Sequence, residues 1–342
     1  MSIKIDILTL DGSPLGVTLK SLWGTDGKRV GVGGSEYALL TMCEYWHNVG
    51  HKVTLYNTPF IPDGSPFEQR PTSTFNTTDP RDVLITFRSP NPKSIVSTGY
   101  KVWWSCDQFT QGSFQAFAPH MQKIVCISDF HKKYFSDNYG INNVNVLDLP
   151  VRVQDFAGKN FERIQNRFIF TSVPARGLQF LRPIWNIIKR EIPDASLIIT
   201  SDYRLWGVGG AGNEQFRVQW IGAPDVEFLG AISRERLIEE QLQARYFIYP
   251  SNYDELFCIS CAEAQVAGAY PFTTETGALG EINMGHHISA TPGTPNFEKL
   301  FSDIVLENMF SVVPEVTQMK AIDRFNINKI GMRWDEEVFK GI

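Results

Sequence analysis

Glu255 and Glu263 stand eight positions apart in Asp254-Glu255-Leu256-Phe257-Cys258-Ile259-Ser260-Cys261-Ala262-Glu263-Ala264, just after the apolar run 246–249 and ahead of Gly268. The order reads as strand, loop, helix, with Glu255 in the loop and Glu263 two helical turns further along. Eight residues at about 100° each bring the second carboxylate to roughly the face of the first, about 12 Å along the axis if both were helical. The start of a helix offers unpaired backbone N–H groups and a partial positive charge, which suits a phosphate. Ionised carboxylates only accept hydrogen bonds, so hydroxyl-rich groups suit them. The implied ligand carries phosphate in its middle and sugars at both ends. Two solvated helix glutamates are the plainer reading. Against it, Glu263 lies among Cys261, Ala262, Ala264 and Val266, an apolar helix in which a charge needs a partner.

Other residues carry chemistry less directly. Arg176 follows a buried strand at the carboxyl edge of a sheet, where open α/β folds bind ligands. Gly33-Gly34 precedes a helix, and glycine lets a ligand come close to the backbone. It is no dinucleotide fingerprint, because the third glycine of a GxGxxG begun at Gly31 falls on Glu36. Cys258 and Cys261 form a CxxC without the second pair that a zinc ribbon needs, and five scattered cysteines argue against a disulfide framework. Two small residues on a buried helix face are expected there. His286 and His287 are neighbours on a strand and point to opposite faces, so they do not chelate one ion. No metal site is expected.

Several elements must position these groups. Strands are expected at 3–10, 51–56, 83–87, 101–104 and 123–127, with helices at 35–49 and from 128 through 139. A boundary falls near Leu149-Pro150-Val151, where the polar stretch 154–165 interrupts the periodicity. The pattern restarts with strands at 167–172, 196–200, 226–229, 246–249 and 269–273 and helices at 178–191 and 233–243. Ser233 is the expected N-cap of the latter. Residues 203–224 read as a Gly-rich loop or flap, and one or two amphipathic helices are expected over 323–339. The alternation indicates an α/β fold with parallel sheets covered on both faces.

Bulk properties agree with a soluble globular protein. The 342 residues suffice for two domains, and 43% hydrophobic with 20% charged residues is ordinary for a globular protein. No apolar run approaches a membrane span, the first residues alternate like a strand rather than a signal peptide, and a cytoplasmic location is expected. Residues 1–152 carry 14 Lys and Arg against 13 Asp and Glu, while residues 153–342 carry 18 against 24. That balance weighs against a dedicated duplex-binding protein.

Gly33-Gly34-Ser35-Glu36, Ser172-Val173-Pro174-Ala175-Arg176-Gly177-Leu178 and the Glu255/Glu263 pair resemble the GT-B retaining glycosyltransferases of the family 4 type (glycosyl transferases group 1). The resemblance spans essentially the whole chain. It implies two Rossmann-like domains facing across a cleft. Residues 1–152 would form the acceptor-binding domain, 153–322 the nucleotide-sugar-binding domain, and a C-terminal helix within 323–342 would cross back to the first. The donor would be a nucleotide-diphosphate sugar, UDP- or GDP-linked, used without cofactor or metal. Glu255 would contact hydroxyls of the donor sugar and Glu263 those of the ribose. Ser172 and the backbone around Phe257, Cys258 and Ile259 would meet the donor, the latter at its diphosphate, and Arg176 would neutralise the departing group. Gly33 and Gly34 would approach the same phosphates, and closure of the domains would assemble the site.

Two departures stand out. Relatives often carry two basic residues about five positions apart near Arg176; the earlier is absent here, and Arg204 is a substitute candidate. Where relatives often show a histidine before an aspartate, Trp104-Ser105-Cys106-Asp107 presents cysteine, so Asp107 is the candidate to orient the acceptor hydroxyl. The acceptor would be a glycan or small molecule. Two other readings stand beside this: a phage-type sugar transferase acting on a hydroxylated DNA base, and a non-catalytic sugar-nucleotide-binding or scaffold protein.

Overall fold

The computed structural model describes residues 2–9, 16–59, 61–206 and 209–342. The chain divides into two compact units, Met1–Pro150 with Asn326–Ile342, and Val151–Phe325.

In the first unit, β1 (Lys4–Thr9), β2 (Lys52–Tyr56), β3 (Glu68–Arg70), β4 (Val83–Phe87), β5 (Tyr100–Trp104), β6 (Lys123–Cys126) and β7 (Asn145–Val146) form one sheet. Its order is β3-β2-β1-β4-β5-β6-β7, and neighbouring strands are parallel. Central strands carry continuous apolar runs because both faces are covered; every residue of Val83–Phe87 is buried. Leu10, assigned to the first strand from sequence, lies outside the described residues, as does part of the loop after it. Helix α1 (Gly34–Asn48) follows that loop, and α2 (Asp129–Tyr139) begins where the Ser128 hydroxyl accepts the His131 N–H. The strand order reverses between β1 and β4. Loops leaving their carboxyl ends therefore part to opposite faces and leave a crevice there.

The second unit repeats the plan. β8 (Arg167–Thr171), β9 (Ser196–Thr200), β10 (Val226–Phe228), β11 (Tyr246–Tyr249), β12 (Tyr270–Thr274) and β13 (His286–Ile288) run parallel in the order β10-β9-β8-β11-β12-β13. The reversal lies between β8 and β11. Helices α3 (Leu178–Glu191), α4 (Arg234–Gln243), α5 (Ile259–Ala267), α6 (Phe297–Asn308) and α7 (Pro314–Phe325) complete it. Ser233 caps α4, as its sequence position predicts. The expected flap is instead a series of short helical turns, Tyr203–Trp206, Gly210–Asn213, Glu214–Arg217 and Val218–Trp220, with residues 207 and 208 outside the described set. Buried Asp202 organises it, accepting from the Arg204 backbone (2.8 Å), Arg204 Nε (2.8 Å), Asn213 Nδ2 (2.6 Å) and Ala231 N (3.2 Å).

The chain ends otherwise than expected. The helix expected to begin at 323 already runs from Pro314 and stops at Phe325. Asn326 then caps a new helix, α8 (Ile327–Arg333), and a five-residue π turn, Trp334–Val338, follows. These last elements belong to the first unit, where the Trp334 ring meets Trp46 and Trp104 at 5.2 Å each. Gly331 lies on α1, and a Cβ there would sit 2.0 Å from the Tyr45 ring. Within the second unit, Val151 N donates to Phe325 O at 2.8 Å, so the segment begins and ends at adjoining backbone.

Candidate active site

At the second unit's strand-order reversal, the loops after β8 and β11 bring Arg176 and Glu255 together. Arg176 Nη1 donates to both carboxylate oxygens of Glu255, at 3.1 and 2.9 Å. Glu255 is only 4% exposed. Its Oε1 also accepts from the Tyr249 hydroxyl at 2.7 Å, and that hydroxyl lies 3.0 Å from Ser172 Oγ. The Arg176 guanidinium carbon stands 4.2 Å from the centre of the Tyr253 ring and 5.3 Å from that of Trp206, within cation–π range. Burial works against the Arg176 charge, but neighbouring Glu255 outweighs it and raises the guanidinium pKa.

Two glycines allow these loops to close on one another. Gly177, in the left-handed region at φ +111°, precedes α3, and a Cβ there would lie 2.6 Å from Pro250 O. Gly277, at φ +61°, would place a Cβ 2.5 Å from the backbone N and O of Glu255. Next to it, Ala278 N donates to Glu255 O at 2.7 Å. The catalytic candidate is thus held by backbone as well as by its side chain.

Helix α5 starts at Ile259, with Cys258 as N-cap in the left-handed region (φ +69°) and no side-chain cap. Its first N–H groups lack intrahelical partners, as at every helix start. Glu263, within α5, is 6% exposed. Its partner is Arg234, whose Nη2 donates to Oε1 at 2.8 Å; Arg234 Nε reaches Asp155 Oδ2 at 2.9 Å, and Arg152 Nε reaches the same oxygen at 3.1 Å. This buried chain of alternating charges is the partner that an acid in an apolar helix requires. Arg204, the substitute for a second basic residue, is already committed to Asp202 at 2.8 and 2.6 Å.

The first unit gathers its own charged residues at the reversal between β1 and β4. Arg88 follows β4 in the left-handed region (φ +64°), a conformation costly for a side chain with a Cβ. Its Nε donates to Asp107 Oδ2 at 2.7 Å and its Nη1 to Glu36 Oε1 at 3.1 Å. Trp103 Nε1 donates to Arg88 O at 2.7 Å and fixes the turn. Gly33 is the N-cap of α1 and Gly34 its first residue. With φ −70° and ψ 166°, Gly33 adopts a conformation open to any residue, so the backbone alone does not demand glycine there.

Residues 188–292 match the family model described as "Glycosyl transferases group 1". That segment holds Glu255, Glu263 and Arg234 but stops short of Arg176 on its N-terminal side. No curated protein matches the sequence closely enough to show a relationship. A glycosyltransferase from Rickettsia africae ESF-5 superposes with a TM-score of 0.74 at 15% identity, covering 100% of both chains. Sucrose-phosphate synthase from Thermosynechococcus elongatus gives 0.70 at 11% identity, over 97% of this chain and 98% of that one. Anabaena Alr3699/HepE, in complex with UDP and glucose, gives 0.64 at 14% identity, over 98% and 99%. The fold is that of the GT-B glycosyltransferases.

Within this GT-B chain, Cys106 stays a protonated thiol and offers no thiolate to act as a base: burial and then Asp107 push its pKa well up. Burial, followed by Glu255, likewise raises Cys258 to about 12, so it stays a neutral thiol at the helix start. Cys261 is buried inside α5. His286 Nδ1 pairs with the Tyr270 hydroxyl and His287 Nε2 with Asn283 O, each locally engaged. Among the described residues, no cluster of three His, Cys, Asp or Glu is placed to hold a metal ion, and no helix is long and apolar enough to cross a membrane. Sequence reasoning missed Tyr249, Arg234, Asp155 and Arg88. A tyrosine ending a buried strand and an arginine directly after another were the available signals for the first and last.

Proposed function

We propose that this GT-B chain is a glycosyltransferase that moves a sugar from a nucleoside-diphosphate sugar, UDP- or GDP-linked, to a hydroxyl acceptor. The observation carrying this is the meeting of Arg176 and Glu255 at the second unit's strand-order reversal, in the loops that lead into α3 and α5. Glu255 reads the donor sugar's hydroxyls, and Glu263, steadied by Arg234, reads the ribose. Arg176 and the backbone around Phe257, Cys258 and Ile259 stabilise charge building on the diphosphate, the largest electrostatic contribution at such sites. Because these groups already supply positive potential, the reaction proceeds without a metal. Ser172 supports the donor side. Gly33 and Gly34 supply backbone that a phosphate can approach closely. Asp107, held by Arg88, orients the acceptor hydroxyl.

The reaction retains anomeric configuration. The acceptor oxygen bonds to the anomeric carbon on the face from which the diphosphate departs. The bond to the diphosphate oxygen breaks, and the acceptor proton passes to that oxygen. A relative's complex with UDP and glucose supports this donor class.

A thermal-shift series with UDP-, GDP- and ADP-sugars is expected to raise the melting temperature with one nucleotide class, since a ligand bound only by the folded state stabilises it. Donor hydrolysis and transfer are then measured for wild type and Glu255→Ala. Turnover is expected to vanish in the variant with its circular dichroism unchanged. Undiminished turnover in Glu255→Ala removes the assignment.

A further inference from the structure

Tyr249 is the last residue of β11, and its ring is fully buried. Its hydroxyl lies between Ser172 Oγ at 3.0 Å and Glu255 Oε1 at 2.7 Å. An ionised carboxylate only accepts, so the single phenol proton goes to Glu255. The tyrosine oxygen is then left to accept, and Ser172 must donate to it. The two bonds form a one-way relay, Ser172 to Tyr249 to Glu255. Burial and then the charge of Glu255 raise the phenol pKa well above its ordinary value, so the donor persists at any working pH.

Glu255 is held by two side chains of different kinds. Arg176 carries a charge that a diphosphate attracts, so its hold on Glu255 is shared once donor binds. Tyr249 is neutral, has no free proton for a phosphate, and is fixed by the sheet. Phenylalanine would fill the same space and leave Glu255 without this donor.

We propose that Tyr249 is a positioning residue for sugar recognition, holding Glu255 in the orientation that reads the donor's sugar, with Ser172 setting the direction of the tyrosine hydroxyl. This rests on the reading of the chain as a nucleoside-diphosphate-sugar transferase. It separates the two halves of the donor: losing the hydroxyl weakens recognition of the sugar and spares the nucleotide.

Calorimetry with UDP, GDP and ADP, and with UDP-, GDP- and ADP-glucose, tests it on wild type and Tyr249→Phe. For the nucleotide that wild type prefers, the variant is expected to bind the diphosphate within about two-fold of wild type. Its affinity for the sugar conjugate is expected to fall about ten-fold, as for loss of a hydrogen bond to a charged group, with KM rising in parallel. Ser172→Ala is expected to shift the same ratio about three-fold, and it carries the test if Tyr249→Phe does not fold. Adding Tyr249→Phe to Glu255→Ala should cost conjugate affinity nothing further, because the tyrosine acts through the side chain that the alanine removes. Unchanged conjugate affinity, or equal weakening of diphosphate and conjugate, overturns the inference alone. A wild type that binds none of the six ligands overturns the transferase reading and this inference with it.

Discussion

Arg176 joins two functions in one guanidinium: its Nη1 spans both oxygens of Glu255, and its flat face lies over Tyr253 with Trp206 nearby. Lysine offers a compact point charge that neither stacks nor presents a planar fork. Arg176→Lys is therefore expected to fold, since Glu255 keeps a positive neighbour, but to lower the rate of donor hydrolysis about thirty-fold or more. Diphosphate affinity should drop about ten-fold, read by calorimetry with UDP or GDP. At this scale the sequence exposed the charged residues and hid their partners. An acid inside the apolar stretch around Glu263 needs compensation, which is readable; that Arg234 supplies it, while also holding Asp155, depends on contacts 29 and 79 positions apart. A comparable separation, 77 positions, concealed the pairing of Tyr249 with Ser172.

The start of α2 carries a cost that appears only at acid pH. His131 is wholly buried, its Nδ1 accepts the Ile127 N–H at 3.3 Å, its ring packs edge-on against Phe135, and burial holds its pKa down to about 3. Above about pH 6.5 the imidazole is neutral in folded and unfolded chains alike, and it takes nothing from stability. As pH falls from there toward 3, the unfolded chain gains a proton that the folded one refuses, so stability declines. The full span corresponds to roughly 5 kcal/mol. Urea unfolding between pH 7 and 4 is expected to show this slope in wild type and a shallower one in His131→Gln. Among elements, the central strands and amphipathic helices were readable because buried parallel strands must be continuously apolar. The edge strand Glu68–Arg70 carries no such pattern, pairing with β2 alone among the described residues. The segment after Asp202 looked unstructured because its order comes from one buried carboxylate rather than from an apolar face.

Across the whole molecule, the final residues finish a unit begun by the first ones. Trp334 meets Trp46, Trp104 and Phe339 at 5.2, 5.2 and 5.7 Å, and the α8 that leads to it lies on α1. Trp334→Ala should cost about 3–5 kcal/mol, as for other large buried aromatics. Hydrogen exchange is expected to lose protection in β1, β4, β5 and α1 while β8 to β13 keep theirs; uniform loss would mean that the damage is not confined to the first unit. The aromatic spacing near the terminus was visible in sequence, but the break at Asn326 was not, because Phe325 and Ile327 flank it with equally helical, apolar character. One consequence concerns order of synthesis. Residues 151–325 are all synthesised between Trp104 and Trp334, so the first unit cannot be completed until the second has been made. The earlier-made half waits with Trp46 and Trp104 lacking their cover, and during that interval its oily surface is a target for chaperones and for self-association.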